Sequence, residues 1–337
     1  MTKLDSRLRE ALIAARDLSG AADAPHGAGD STRGRQLPQS TRVRALVAEQ
    51  LVRMGFDATA IERELAAERA KSHRRLEELK AEAVAQSGVR ADSLGRMVDA
   101  QRAALGGVIG IGPTTQYLTL DSPVEIWATD GVNLESTTIE PYKSRAQIRL
   151  DASESHDWWH GAYLFTTNYD FLHFYFLWEN QESESAVVDV NAFLILNGFC
   201  SAHSQGGWFF GGKGELTLDP TLDLLQTWTQ PISSAPPQIG ETWNVLDLVA
   251  DSTGFDTDDK TNYDVVYRGT LVGYQQEIVP PGQNLIIDVA LRLGSYVDNA
   301  EVSADFATGE FYVMSPLVSL TIVYPRLVVV ESGDTPR

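Results

Sequence analysis

His156 and His160 lie four residues apart, with Asp157, Trp158 and Trp159 between them. On a helix, imidazoles at this spacing share a face and can grip a zinc ion, with a neighbouring acid as base. The acid such helices normally carry is Glu, and here it is Asp157. The flanking segments DASES and GAYLF read as a loop entering a strand, and no third ligand follows. A metal-dependent hydrolase at His156 and His160 is therefore the weakest of the functional readings. Trp158 and Trp159 read instead as aromatic contact residues at a strand mouth.

Cys200 and His203 could supply a thiolate and an imidazole, but a lone cysteine at a strand end is more often a small buried hydrophobe. Cys200 is the only cysteine, so neither an intrachain disulfide nor a multi-cysteine metal site can form. Glu179, Glu182 and Glu184 resemble a glycosidase pair only in type. They fall in the polar cluster ENQESES, where carboxylates face water and no cleft sets their separation. The chain carries no nucleophile-elbow serine, phosphate-binding glycine loop or dinucleotide fingerprint. No catalytic residue is expected.

Two segments could bind without catalysing. Asp256, Asp258, Asp259 and Asp264 concentrate carboxylates in a presumptive loop, and hard cations such as calcium want such oxygens. The spacing fails as an EF-hand, because Lys260 takes a ligand position, Thr261 the glycine position and Tyr267 that of the closing glutamate. A solvated acidic loop is the favoured reading, and calcium is the one cofactor the sequence suggests. Trp208, Phe209 and Phe210 stand between paired glycines. They read as a buried or subunit-contacting strand, or as an apolar loop tip offered to a sugar ring or a neighbouring molecule.

The elements that would position these residues divide the 337-residue chain by composition. Residues 1–40 read as an amphipathic docking helix, with Leu4, Leu8, Leu12 and Leu18 along one side, followed by a Gly-, Ala- and Pro-rich linker. Residues 41–107 read as a helical bundle or stalk. One helix there is ended by Gly55, a second is opened by a capping box at Thr59 and Glu62 and runs to about Gln86, and a third starts at Asp92. Residues 108–330 hold about ten β-type runs punctuated by turn signals, and residues 331–337 form a tail. The fold class is thus α+β in sequence order: a helical arm followed by a mainly antiparallel β-sandwich, jelly-roll-like.

The run Phe171–Trp178 is apolar or aromatic on both of its alternating sides apart from His173. It reads as a central strand covered on both faces, with Phe174 and Phe176 on one and Tyr175 and Leu177 on the other. Turns at NYD and ENQESES would join it by hairpins to the runs Ala162–Phe165 and Ala186–Phe199.

Charge narrows the partners. The net charge of -19 is divided into about +3 for residues 1–105 and -22 for the remainder. A domain this acidic repels phosphate backbones, which excludes nucleic acid as its ligand. No apolar run is long enough for a membrane span, and the N-terminus lacks the apolar core of a secretory signal, so synthesis in the cytoplasm is expected. The order of docking helix, arm, helices and β domain points to a non-enzymatic structural or assembly protein. It would form a homo-oligomer or larger assembly, such as part of a released particle or appendage of virion-like or fibre type. The alternative is a carbohydrate-binding or adhesin module that meets a glycan or cell-surface ligand through Trp208, Phe209, Trp158 and Trp159.

Overall fold

The computed structural model describes residues 52–55, 57–106, 115–154, 167–205, 211–229, 233–234, 245–252 and 257–325. The docking segment with Leu4, Leu8, Leu12 and Leu18 lies outside them, as do His156, Trp158, Trp159, His160, Trp208, Phe209, Phe210 and Asp256.

The described residues form one helix and fourteen strands, most of the latter antiparallel partners in two sheets. Helix α1 spans Ala58–Gly106 without a break, where the sequence suggested two helices. Its cap is also two residues earlier than expected: the Asp57 carboxylate accepts a hydrogen bond from the Ala60 N–H at 3.0 Å, the pattern of an N-cap, so Thr59 lies inside the helix. Just before it, Gly55 adopts φ +85° and donates to the Val52 carbonyl, ending the preceding turn as a glycine is expected to.

The first sheet is organised along β6 (Ala186–Gln205), a strand of 20 residues. One edge of β6 pairs with β10 (Thr257–Val279) over its whole length. The other edge is shared in succession by β14 (Val318–Val323), β13 (Tyr312–Met314) and β12 (Ala300–Asp305). Beyond these lie β1 (Thr115–Leu120) on β14, and β4 (Arg145–Glu154) on β12 and β13, with β3 (Asn133–Thr138) outside β4. The second sheet runs β2 (Glu125–Ala128), β5 (Asn168–Glu179), β11 (Asn284–Asp298), β7 (Gly212–Gln226). Next to β7 stand the short β8 (Ser233–Ser234) and β9 (Leu246–Ser252).

The two sheets share one core. Val188, Val190 and Leu194 of β6 join Leu172, Phe174 and Phe176 of β5 and Leu285, Ile287 and Val289 of β11 in a single buried apolar cluster. Alternation along each strand produces it, because residues two apart point the same way. The covered character of β5 holds as the pattern indicated. Phe174 and Phe176 are fully buried towards the first sheet, while Tyr175 packs with Leu225 and Ile286 on the opposite face, against a half-buried Leu177.

The expected hairpin between Phe171–Trp178 and Ala186–Phe199 is not present. β5 and β6 belong to different sheets, and the connection carries the chain from one to the other. A polar cluster marks where a chain reverses but not whether the flanking strands pair. Here Asn180 fixes the crossing, donating through Nδ2 to the carbonyls of Glu184 and Val279, both at 2.9 Å. The NYD segment is likewise no turn, since Asn168–Asp170 opens β5; Ala162–Phe165 lies outside the described residues. Thr257–Asp264, expected as an acidic loop, is the first stretch of β10 paired to β6.

Helix α1 lies on the face of the first sheet away from the core. Leu94 and Val98 pack with Ile195, Tyr312 and Met314, and Ala83 with Phe199 and Phe311. At Gly309 (φ +64°) a Cβ would stand 3.0 Å from Val84 and 3.3 Å from Ser87, so the loop before β13 can meet the helix this closely only without a side chain. Lys80 reaches down to the wholly buried carboxylate of Asp305 at 2.6 Å. That carboxylate also accepts from the backbone N–H groups of Ala307 and Thr308, both at 2.9 Å, and from the Thr308 hydroxyl at 2.7 Å. Burial pushes Asp305 up, but the bonds from Lys80, Thr308 and the two N–H groups outweigh it and hold the carboxyl down at about 2.

Two predictions follow from this packing. In chemical denaturation, Phe176→Ala should cost about 3–5 kcal/mol through lost burial and the cavity left behind. Leu177→Ala, on the half-buried side, should cost about 1–3 kcal/mol, and Glu182→Ala in the exposed turn no more than about 0.5 kcal/mol. A Phe176→Ala cost as small as that of Glu182→Ala would contradict the core placement of β5. Asp305 generates the second: its folded pKa lies below the ordinary value, so its stabilisation is present above about pH 4 and is lost as pH falls through about 2. Comparing urea midpoints of wild type and Asp305→Asn from neutral pH downwards should show a difference that shrinks across that window. A constant difference would mean that the charge of Asp305 does not hold the helix seat.

Candidate functional site

The polar exception in β5 meets a polar exception in β11. His173 stands alone among apolar and aromatic residues from Phe171 to Trp178, and Asp288 is the one acid in the run Leu285–Gly294. The strands pair antiparallel with His173 beside Ala290 and Asp288 beside Tyr175, so the two side chains lie diagonally on the outward face of the second sheet. There His173 Nδ1 sits 3.0 and 2.9 Å from the two carboxylate oxygens of Asp288, and both residues are almost fully buried.

Aromatic rings line the imidazole. Trp127 of β2, in register with His173, stacks on it at 5.1 Å between centroids, and Phe171 and Tyr175 follow at 5.5 and 5.4 Å along β5. Further along the face Arg292 pairs with Asp219 at 2.8 Å and lies over Tyr169 at 5.0 Å. Asp223 stands directly opposite Asp288 in the register between β7 and β11.

The chemistry of this pair is set by its geometry. A carboxylate on Nδ1 favours a proton on that nitrogen and fixes the orientation of the ring, the arrangement that orients a base or a metal-bound histidine. His173 Nε2 is buried and has no hydrogen-bond partner. It is closed from solvent in the described state, so the pair works as a lock across β5 and β11 rather than as an open catalytic dyad. His173 was visible in the sequence as the lone polar position of an apolar strand, whereas Asp288 was not singled out and its diagonal registry with His173 was hidden.

The residues singled out by type alone fare differently. Cys200 is fully buried in the core, where burial and then the charge of Asp305 push its thiol up, and His203 projects from the other face of β6. The two make no catalytic pair. Asp258 accepts a hydrogen bond from the Asp251 backbone at 3.1 Å, and Asp259 and Asp264 are strand residues of β10. Glu179, Glu182 and Glu184 are exposed at the crossing between the sheets. Among the described residues no group of three or more His, Cys, Asp or Glu side chains is assembled as a metal site, and no helix is long and apolar enough to cross a membrane.

Sequence reasoning missed the buried anchors Asp288 and Asp305, and the half-buried Lys80 that reaches Asp305. Lys80 gave no signal, because a lysine on a charged helix looks like any solvated one. Comparison with known families finds no family model that matches this chain, and comparison with curated proteins finds no match either.

Proposed function

We propose that this chain is a structural or assembly protein, in which two sheets packed as a sandwich of jelly-roll type are carried on a helical segment whose N-terminal part docks onto another copy or a partner. The observation that supports the reading is the uneven use of helix α1. At about 1.5 Å per residue its 49 residues extend some 70 Å. Among the described residues, its buried apolar contacts with the first sheet run from Leu76 to Val98.

From Thr59 to Lys71, every side chain that is described is exposed. A helical stretch whose described side chains are exposed gains little from burial on its own chain and needs other support. Upstream of it the sequence places the apolar stripe of Leu4, Leu8, Leu12 and Leu18, whose spacing suits contact with a second surface. A helix seated over its later part and standing off the sheet across an open cleft over its earlier part suits a lever or stalk. The acidic β domain would then be the displayed part, as in a particle coat or appendage.

Size-exclusion chromatography with light scattering tests this directly. The full chain should run as a defined oligomer and the chain lacking residues 1–40 as a monomer. A strict monomer in both would remove the assembly reading, and an unchanged oligomer after deletion would remove the docking role of the N-terminal segment.

A further inference from the structure

Between the early part of α1 and the end of β6 the structure leaves a solvent-open cleft of about 470 Å³. Its polar lining comes from Arg69 and His73 on the helix and from His203, Gln205, Asn299 and Glu301 on the sheet. Between these, Ala66 and Ala70 on the helix face Ala300, and their short side chains leave the space open. The cleft lies on the opposite side of the first sheet from the core and shares no residue with the His173–Asp288 pair.

We infer that this cleft binds a neutral polyhydroxylated molecule of monosaccharide or disaccharide size. The first support is Gln205, only 4% exposed, whose Nε2 is buried without a hydrogen-bond partner at the cleft wall. That nitrogen is closed from solvent, and leaving it unpaired costs on the order of 1–3 kcal/mol, so a carboxamide that turns into the cleft towards a ligand gains the partner it lacks. The backbone around it is fixed: the Gln205 N–H donates to the Asn299 carbonyl, and the Asn299 side chain donates back to the Gln205 carbonyl. The two bonds make a closed backbone corner at a left-handed Asn299 (φ +49°), from which the Gln205 side chain starts.

Charge selects the ligand class. The lining carries one fixed positive charge, Arg69, and one negative, Glu301, which cancel. An anion would also have to enter the field of a chain with net charge -19, and a cation would find a single carboxylate among several N–H donors. Imidazole, carboxamide and hydroxyl groups both donate and accept hydrogen bonds, and sugar hydroxyls do the same. The alanine surfaces suit the C–H faces of such a ring, and the volume falls within the range of small-ligand sites. The inference does not rest on the assembly reading.

The test is titration of the full chain with glucose, galactose, mannose and maltose, followed by NMR or calorimetry, with citrate and inorganic phosphate as charged controls. At least one sugar should bind saturably at millimolar concentration and the anions should not. Glu301→Gln and Gln205→Ala should each weaken binding by about tenfold or more. Ala70→Trp, a change at an exposed helical position that fills the cleft, should abolish binding while leaving the thermal unfolding midpoint near that of wild type. Failure of all four sugars to bind, binding of the anions alone, or sugar binding that survives Ala70→Trp would each overturn the assignment.

Discussion

The position of β6 constrains nearly everything else. Its 20 residues are hydrogen-bonded along both edges, to β10 on one side and to three separate strands on the other. It is also covered on both faces, by the second sheet through residues such as Val190 and Leu194, and by α1 through Ile195 and Phe199. A strand with no free edge and no free face has one register available, because a slip by a single residue would turn its core side chains towards the helix. The stagger of β14, β13 and β12 along it then fixes where β4 and β1 can stand.

The helix seat depends on a different kind of contact. Apolar contacts at Ala83, Leu94 and Val98 supply area, but Asp305 supplies position, since one carboxylate gathers Lys80 from the helix and two backbone N–H groups from the loop that follows β12. Arg149 of β4 joins the same group, 3.7 Å from Asp305 and 3.2 Å from Glu135. Arg102 over Tyr142 and Arg145 over Tyr312 add cations on rings at the edge of the seat. A buried charge held this way costs little only while every partner stays in place, which ties helix, loop and β4 into one unit.

Much of the β domain could be read from apolar runs between turn residues. Gln116–Leu120, Val124–Ala128 and Leu285–Gly294 emerge close to β1, β2 and β11. Strand β3 escaped because Asn133–Thr138 is almost wholly polar, and β13 because three residues carry no period. The crossing at ENQESES was misread as a hairpin for a physical reason: sheet membership is decided by partners far away in sequence, and a local turn contains no information about them. The break expected near Gly88 was overridden in the same way. Ser87 is buried, bonds to the Val84 carbonyl and receives the Glu310 N–H, so tertiary contacts outweigh the modest cost of a glycine within the helix. At the candidate site, His173 was legible as the exception in its strand, whereas Asp288 went unremarked within the run Leu285–Gly294 and the meeting of the two across β5 and β11 was a matter of register.

The single thiol has a use that follows from its surroundings. Cys200 is sealed between β10 and β12 in the middle of β6, with no solvent path and with burial favouring its unreactive protonated form. A thiol reagent can reach it only when β6 separates from a neighbour, and β6 is the strand on which both sheets and the helix rest. Cys200 is therefore a built-in clock for the opening of the whole domain: its labelling rate in native buffer reports how often the molecule comes apart at its centre, without any engineered probe.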